Sequence, residues 1–121
     1  MKLSEALSSA KMLRPHAADE FTLAQLLFRG VEGDVAEMFG VEAPENPNDG
    51  TEAELTDVEL LMPHPYDEVY TWYLCAMIDM ANEETNLYQN DMEMFNAAWA
   101  RAASWYRRTT KPADKGNWRV M

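Results

Sequence analysis

The fold is decided by residues 82–109, which read NEETNLYQNDMEMFNAAWARAASWYRRT. Apolar side chains recur along this stretch in steps of four and three, which is the spacing of one face of an α-helix. They are Tyr88, Met92, Phe95, Trp99, Ala102 and Tyr106. Asn82 is a suitable N-cap, and Arg107 and Arg108 stand where the negative end of a helix favours cations. The spacing therefore predicts a long amphipathic helix over 83–109.

Three further helices are predicted on the N-terminal side of this one, near 3–13, 19–39 and 65–81. The first ends at Arg14-Pro15, because a proline pushes the preceding residue away from helical dihedral angles. The helix over 65–81 is apolar nearly all round, which is typical of a central helix or of one at a subunit contact. We therefore expect an all-α chain with a four-helix bundle-like domain. The predicted core consists of Phe28, Val31, Val35, Tyr73, Ala76, Met77, Met80, Phe95, Trp99 and Ala102.

A long acidic loop is predicted over 41–63, between the second and third helices. This stretch is rich in proline and acidic residues, and it is longer than an ordinary connection. We expect residues 1–112 to form a single helical domain that includes this loop. Residues 113–121 are expected to form an extended C-terminal tail, because they are too few to fold alone. A chain of 121 residues fits this one-domain organisation.

The charges are segregated along the chain. There are 21 acidic residues and 10 basic ones, which gives a net charge of −11, and no Lys or Arg lies between residues 30 and 100. Such a protein repels the phosphate backbone of nucleic acids. Two interpretations stay open: a solvated acidic surface that confers solubility, and a surface that repels or mimics a polyanion. A single cysteine excludes a disulfide framework, and no apolar run is long enough to predict a membrane span.

No catalytic, cofactor-binding or metal-binding constellation is predicted. The only histidines, His16 and His64, lie in different linkers, and neither belongs to a spaced set of metal ligands. Cys75 lies in the most apolar predicted helix, where packing in the core is the expected role. The acidic pairs of the chain fall in first turns of predicted helices, where the positive end of the helix dipole already explains them. The chain is therefore not expected to be an enzyme.

Several motifs in residues 60–112 resemble a family of small helical proteins of tailed phages and prophages. The matching stretches are Pro63-His64-Pro65-Tyr66-Asp67-Glu68-Val69-Tyr70, Tyr73-Leu74, Ile78-Asp79-Met80-Ala81-Asn82-Glu83, Met94-Phe95-Asn96-Ala97-Ala98 and Trp105-Tyr106-Arg107-Arg108-Thr109. The acidic linker 41–59 and Arg108, where asparagine is common, depart from the family pattern. The resemblance implies a head-tail connector or adaptor subunit. Such a subunit would assemble as a homo-oligomeric ring below the portal.

The resemblance also implies where the protein acts and what it meets. The expected location is the neck of the virion, and the host cytoplasm during assembly. The expected partners are the portal and the tail or neck proteins, with DNA passing through the ring without specific binding and with no membrane involved. The alternative from another functional class is a soluble acidic interaction protein, a DNA mimic that binds a basic partner. A mimic would be a monomer or a dimer, whereas an adaptor should form a ring.

Two sets of residues are candidates for these roles. The candidate partner or subunit contacts are Leu60, Leu61, Met62, Tyr70, Trp72, Arg107, Arg108, Trp118, Arg119 and Val120. We expect 60–62 and 118–120 to be ordered by neighbouring subunits or by the portal, because these segments lack a core of their own. The candidate acidic lining of a DNA channel is Glu52, Glu54, Asp57 and Glu59.

Overall fold

A computed structural model of the chain describes residues 1–15, 19–48 and 54–109. These ranges contain five α-helices: α1 (Leu3–Leu13), α2 (Glu20–Arg29), α3 (Val31–Phe39), α4 (Glu68–Ala81) and α5 (Thr85–Thr109). No strand occurs in the described ranges, so the all-α class is confirmed. None of the helices in these ranges is long and apolar enough to cross a membrane. The predicted tail 113–121 lies outside the described residues.

The helix predicted over 19–39 is divided in two at Gly30. Asp19 caps the first part as expected, since its carboxylate accepts a hydrogen bond from the backbone N–H of Thr22 at 3.3 Å. At the break, the Tyr73 side chain of α4 lies so close to Gly30 that a β-carbon there would collide with its hydroxyl. A glycine is therefore needed where α2 and α3 meet the central helix.

The apolar core is built around α4, which contacts each of the other four helices. The predicted core positions Phe28, Val31, Val35, Ala76 and Ala102 are buried. Four others are half-buried at the edge of the core: Tyr73, Met77, Phe95 and Trp99. The prediction is wrong for Met80, which is 53% exposed, because it lies in the last turn of α4 beside the exposed residues 81–84.

The end of the long loop is docked on the N-terminus of the chain. The backbone N–H of Leu3 donates to the carbonyl of Val58 at 2.9 Å, and the N–H of Leu60 donates to the carbonyl of Met1 at 3.0 Å. These bonds hold residues 58–60 in an extended conformation antiparallel to the first residues of the chain. The loop therefore closes over α1 instead of ending in solvent.

This docking corrects three of the predicted partner contacts. Leu60 is 4% exposed, while Met62 and Tyr70 are fully buried, and all three pack in the protein's own core. The expectation that they contact a partner is wrong, because this chain already covers their side chains. Leu61 and Trp72 are half-buried and pack against the same core. The sequence does not reveal this internal partner for segment 60–62, because the hydrogen bonds that hold the segment come from residues distant in sequence.

Candidate interaction surface

The longest helix, α5, leaves most of its surface uncovered by the described residues. Its 25 residues correspond to a length of about 37 Å. Only Asp91, Ala98 and Ala102 are buried, and the helix packs mainly on α4. A helix that makes so little use of its surface inside the monomer has room for contacts with other molecules.

Aromatic side chains cluster around the C-terminal half of α5. The rings of Phe39 and Tyr106 stack with their centroids 4.8 Å apart, and those of Tyr66 and Trp105 stack at the same distance. The hydroxyl of Tyr106 also donates a hydrogen bond to the backbone carbonyl of Phe39 at 3.3 Å. These rings are half-buried, so each presents part of its surface to solvent. Rings of this kind supply much of the binding energy where proteins meet.

Two open grooves run beside this half of α5, on different faces of the helix. The acidic groove, of about 490 Å³, lies towards α3 and is lined by Asp34, Glu37, Met38, Phe95, Trp99, Ala103 and Arg107. The arginine groove, of about 380 Å³, is lined by Tyr66, Ala100, Arg101, Ser104 and Arg108. The acidic groove thus combines two carboxylates and the Arg107 guanidinium with apolar side chains, and the arginine groove combines two guanidinium groups with an aromatic ring.

The predicted contact residues Arg107 and Arg108 are exposed and lie on this surface. Neither forms an ion pair with a residue that the structure describes. Arg101, in contrast, pairs with Glu68 at the start of α4. The predicted contacts Trp118, Arg119 and Val120 lie outside the described residues. Among the predicted contact residues that the structure describes, Arg107 and Arg108 are thus the two exposed ones.

The predicted acidic lining has a more local role than the sequence suggests. Asp57 accepts hydrogen bonds from the Ser4 hydroxyl at 2.7 Å and from the Ser4 backbone N–H at 2.9 Å. These bonds hold the pKa of the Asp57 carboxyl below its usual value. Glu59 accepts from the amino group of Met1 at 3.0 Å. Asp57 and Glu59 therefore hold the start of α1 in place through hydrogen bonds. Glu54 is exposed, and Glu52 lies outside the described residues.

A buried network around Glu32, which the sequence pattern did not reveal, fixes the loop end on α3 and α4. The Glu32 carboxylate is inaccessible to solvent and accepts from the Tyr70 hydroxyl at 2.6 Å and from the Leu61 N–H at 2.9 Å. The Tyr70 hydroxyl in turn accepts from the Met62 N–H at 2.8 Å. Burial raises the pKa of Glu32, and burial together with the adjacent carboxylate raises the pKa of Tyr70.

A second buried network joins α1, α4 and α5. Arg14 donates to Asp79 at 3.1 Å and to Asp91 at 2.8 Å, and these carboxylates are 2% and 0% exposed. Burial also raises the pKa of the nearby Cys75 thiol to about 12, which agrees with its expected packing role. Asp79, an aspartate within the otherwise apolar stretch 76–81, is the sequence signal that could identify this network.

The described residues contain no group of three or more His, Cys, Asp or Glu side chains placed to hold a metal ion. Comparison of the chain with protein-family models, with curated proteins and with solved structures finds no match. The surface around α5 is therefore interpreted from its own shape, burial and charge.

Proposed function

We propose that the protein is a structural virion protein, a head-tail connector or adaptor subunit that forms a ring below the portal and joins the phage head to the tail. It acts by binding neighbouring proteins and has no catalytic activity of its own. One observation carries the proposal: the C-terminal half of α5 presents half-buried rings together with an acidic groove and an arginine groove. The resemblance of residues 60–112 to small phage proteins supports the same role.

The two grooves suit a head-to-tail contact between identical subunits. Asp34 and Glu37 are exposed in the acidic groove, and Arg101 and Arg108 are exposed in the arginine groove. A contact between two different patches of one subunit generates a closed ring when the rotation between copies closes. In this proposal Arg108 of one copy meets the acidic groove of the next, and the rings beside α5 are covered at the same time.

The bundle-like domain then forms the wall of the ring, and the acidic loop between α3 and α4 faces the DNA. Phosphate repels carboxylates, so an acidic lining keeps DNA from adhering while it moves through the neck. The absence of Lys and Arg between residues 30 and 100 supports an acidic lining. Residues 113–121 reach the portal or a neighbouring ring in this arrangement.

The oligomeric state tests the proposal directly. We expect mass photometry and negative-stain electron microscopy to show rings, either for the protein alone or after addition of its cognate portal. Arg108→Glu should reduce the ring fraction at least tenfold, since it places a carboxylate against the acidic groove. Arg29→Glu changes the charge by the same amount at an exposed position on α2, and it should assemble normally.

Three outcomes would contradict the proposal. A protein that stays monomeric alone and with the portal is not an adaptor, and tight binding of such a monomer to a basic nucleic-acid-binding protein would favour the DNA mimic. Retention of DNA by the wild-type protein at physiological salt would contradict the acidic channel. Equal loss of rings in Arg108→Glu and Arg29→Glu would show that net charge, and not the groove, controls assembly.

A further inference from the structure

The N-terminal half of α5 is attached to the rest of the protein in an unusual way. Asp91 is the one buried residue of α5 between Thr85 and Ala97, and its side chain is completely inaccessible to solvent. Tyr88, Met92 and Phe95 on the same stretch are half-buried. The most deeply buried side chain of these helical turns therefore carries a carboxyl group and is not apolar.

One oxygen of the Asp91 carboxyl group lacks a hydrogen-bond partner among the described residues. One oxygen of Asp91, Oδ1, accepts from Arg14 at 2.8 Å, whereas Oδ2 is buried and has no hydrogen-bond partner in the part of the chain that the structure describes. A buried acceptor without a partner is destabilising, and more so when it is charged. The neighbouring carboxylate, Asp79, is itself an acceptor, so a hydrogen bond between the two requires a proton.

We propose that Asp79 and Asp91 form a proton-binding site that controls how firmly the first turns of α5 pack on α4. With the proton in place, the two carboxyl groups share a hydrogen bond and the single Arg14 guanidinium balances the remaining charge. Without it, two carboxylates face one guanidinium in a buried position. A net buried negative charge is costly, so the helical turns that carry Asp91 open more often to let water reach it.

The charged and titratable neighbours of the site are few. Among the described residues they are Arg14 at the C-terminal end of α1 and Asp79 and Cys75 on α4. Burial, followed by the hydrogen bond and repulsion from Asp79, raises the pKa of Asp91 to about 6, while Arg14 opposes the shift.

The sign of the effect follows from this elevated pKa. A carboxyl group whose pKa is higher in the folded than in the opened state stabilises the fold at low pH. The stabilisation is complete below about pH 4, and it is lost as the pH rises towards 6 and beyond. The site therefore loosens the start of α5 near neutral pH, and this behaviour does not depend on the proposed role in a phage neck.

Amide hydrogen exchange tests the consequence for the helix. We expect the opening constants of amides 90–95, corrected for intrinsic exchange, to rise about 50-fold between pH 4 and pH 7 in the wild type. Asp91→Asn, which resembles the protonated state, should remove this dependence. Glu20→Gln is the matched control, since Glu20 is exposed on α2, and His16→Gln removes the histidine nearest in sequence to Arg14. Both controls should keep the wild-type profile.

A second measurement needs no variant that could fail to fold. The carboxyl carbon resonance of Asp91 in wild-type protein should titrate with a midpoint near pH 6. If the Asp91 resonance titrates below pH 4.5 and the opening constants do not change between pH 4 and pH 7, the site binds no proton and the proposal is wrong.

Discussion

Removal of the Tyr70 hydroxyl should destabilise the protein far more than its small size suggests. This hydroxyl donates to Glu32 at 2.6 Å and accepts from the Met62 N–H at 2.8 Å, with all three groups buried. Tyr70→Phe leaves the shape of the core almost unchanged, but it leaves a buried N–H without an acceptor and a buried carboxylate with one donor fewer. The network therefore loses both of its contacts to the tyrosine at once.

The magnitude follows from the two bonds. A hydrogen bond to a charged group contributes about 1.5–3 kcal/mol, and an unpaired buried N–H costs about 1–3 kcal/mol. Since the carboxylate keeps its bond from the Leu61 N–H at 2.9 Å, we expect a total loss of about 3 kcal/mol. For a domain of this size that loss lowers Tm by about 10 °C.

Urea unfolding followed by circular dichroism measures this loss. Tyr66→Phe is the matched control, because its ring stacks on Trp105 and its hydroxyl has no hydrogen-bond partner among the described residues. We expect it to change the free energy of unfolding by less than about 0.5 kcal/mol. A double-mutant cycle of Tyr70→Phe with Glu32→Gln should give a coupling of about 1–2 kcal/mol. If Tyr70→Phe matches the control, or if the two changes are additive, the network does not hold the loop end.

Four further substitutions probe the helix junction and the acidic loop. Gly30→Ala should cost about 2 kcal/mol or more in urea unfolding, because its methyl group would collide with the Tyr73 side chain. Gly33→Ala should instead stabilise by up to about 1 kcal/mol, because the nearest atom to its methyl group is 3.8 Å away and alanine favours a helix. Glu54→Lys should reduce DNA delivery by assembled particles without lowering Tm, if the loop lines a channel. Asp57→Lys should lower Tm as well, since it breaks the hydrogen bonds at the start of α1, and normal delivery by both lysine variants would exclude the lining.

The regular part of the fold could be predicted from the sequence. The spacing of apolar residues gave the all-α class and placed α1, α4 and α5 within a few residues of their bounds. The same periodicity could not show the break at Gly30, because α2 and α3 both continue one apolar pattern. At the break, Gly30 lies against the Tyr73 side chain of a distant helix, which is a tertiary contact that periodicity does not reveal.

The interaction surface could be predicted only in part. Arg107 and Arg108 were identified from their place at the end of a helix, and they are exposed there. Met62 and Tyr70 were assigned to the surface because a short apolar run and an all-apolar helix have no partner visible in the local sequence. Both side chains are buried because residues 58–60 pair with the N-terminus, and local patterns carry no information about such a distant pairing.

The segregation of charge along the chain determines which parts of the protein are tied together. Residues 30–100 contain no Lys or Arg. Every Lys or Arg that pairs with an acidic residue of this stretch must therefore come from the ends of the chain. Arg14 reaches Asp79 and Asp91, and Arg101 reaches Glu68. The exposed pair contributes little, whereas loss of Arg14 would leave two buried carboxyl groups without a cation. The same segregation that leaves the surface acidic thus makes the attachment of α5 depend on one arginine and one proton.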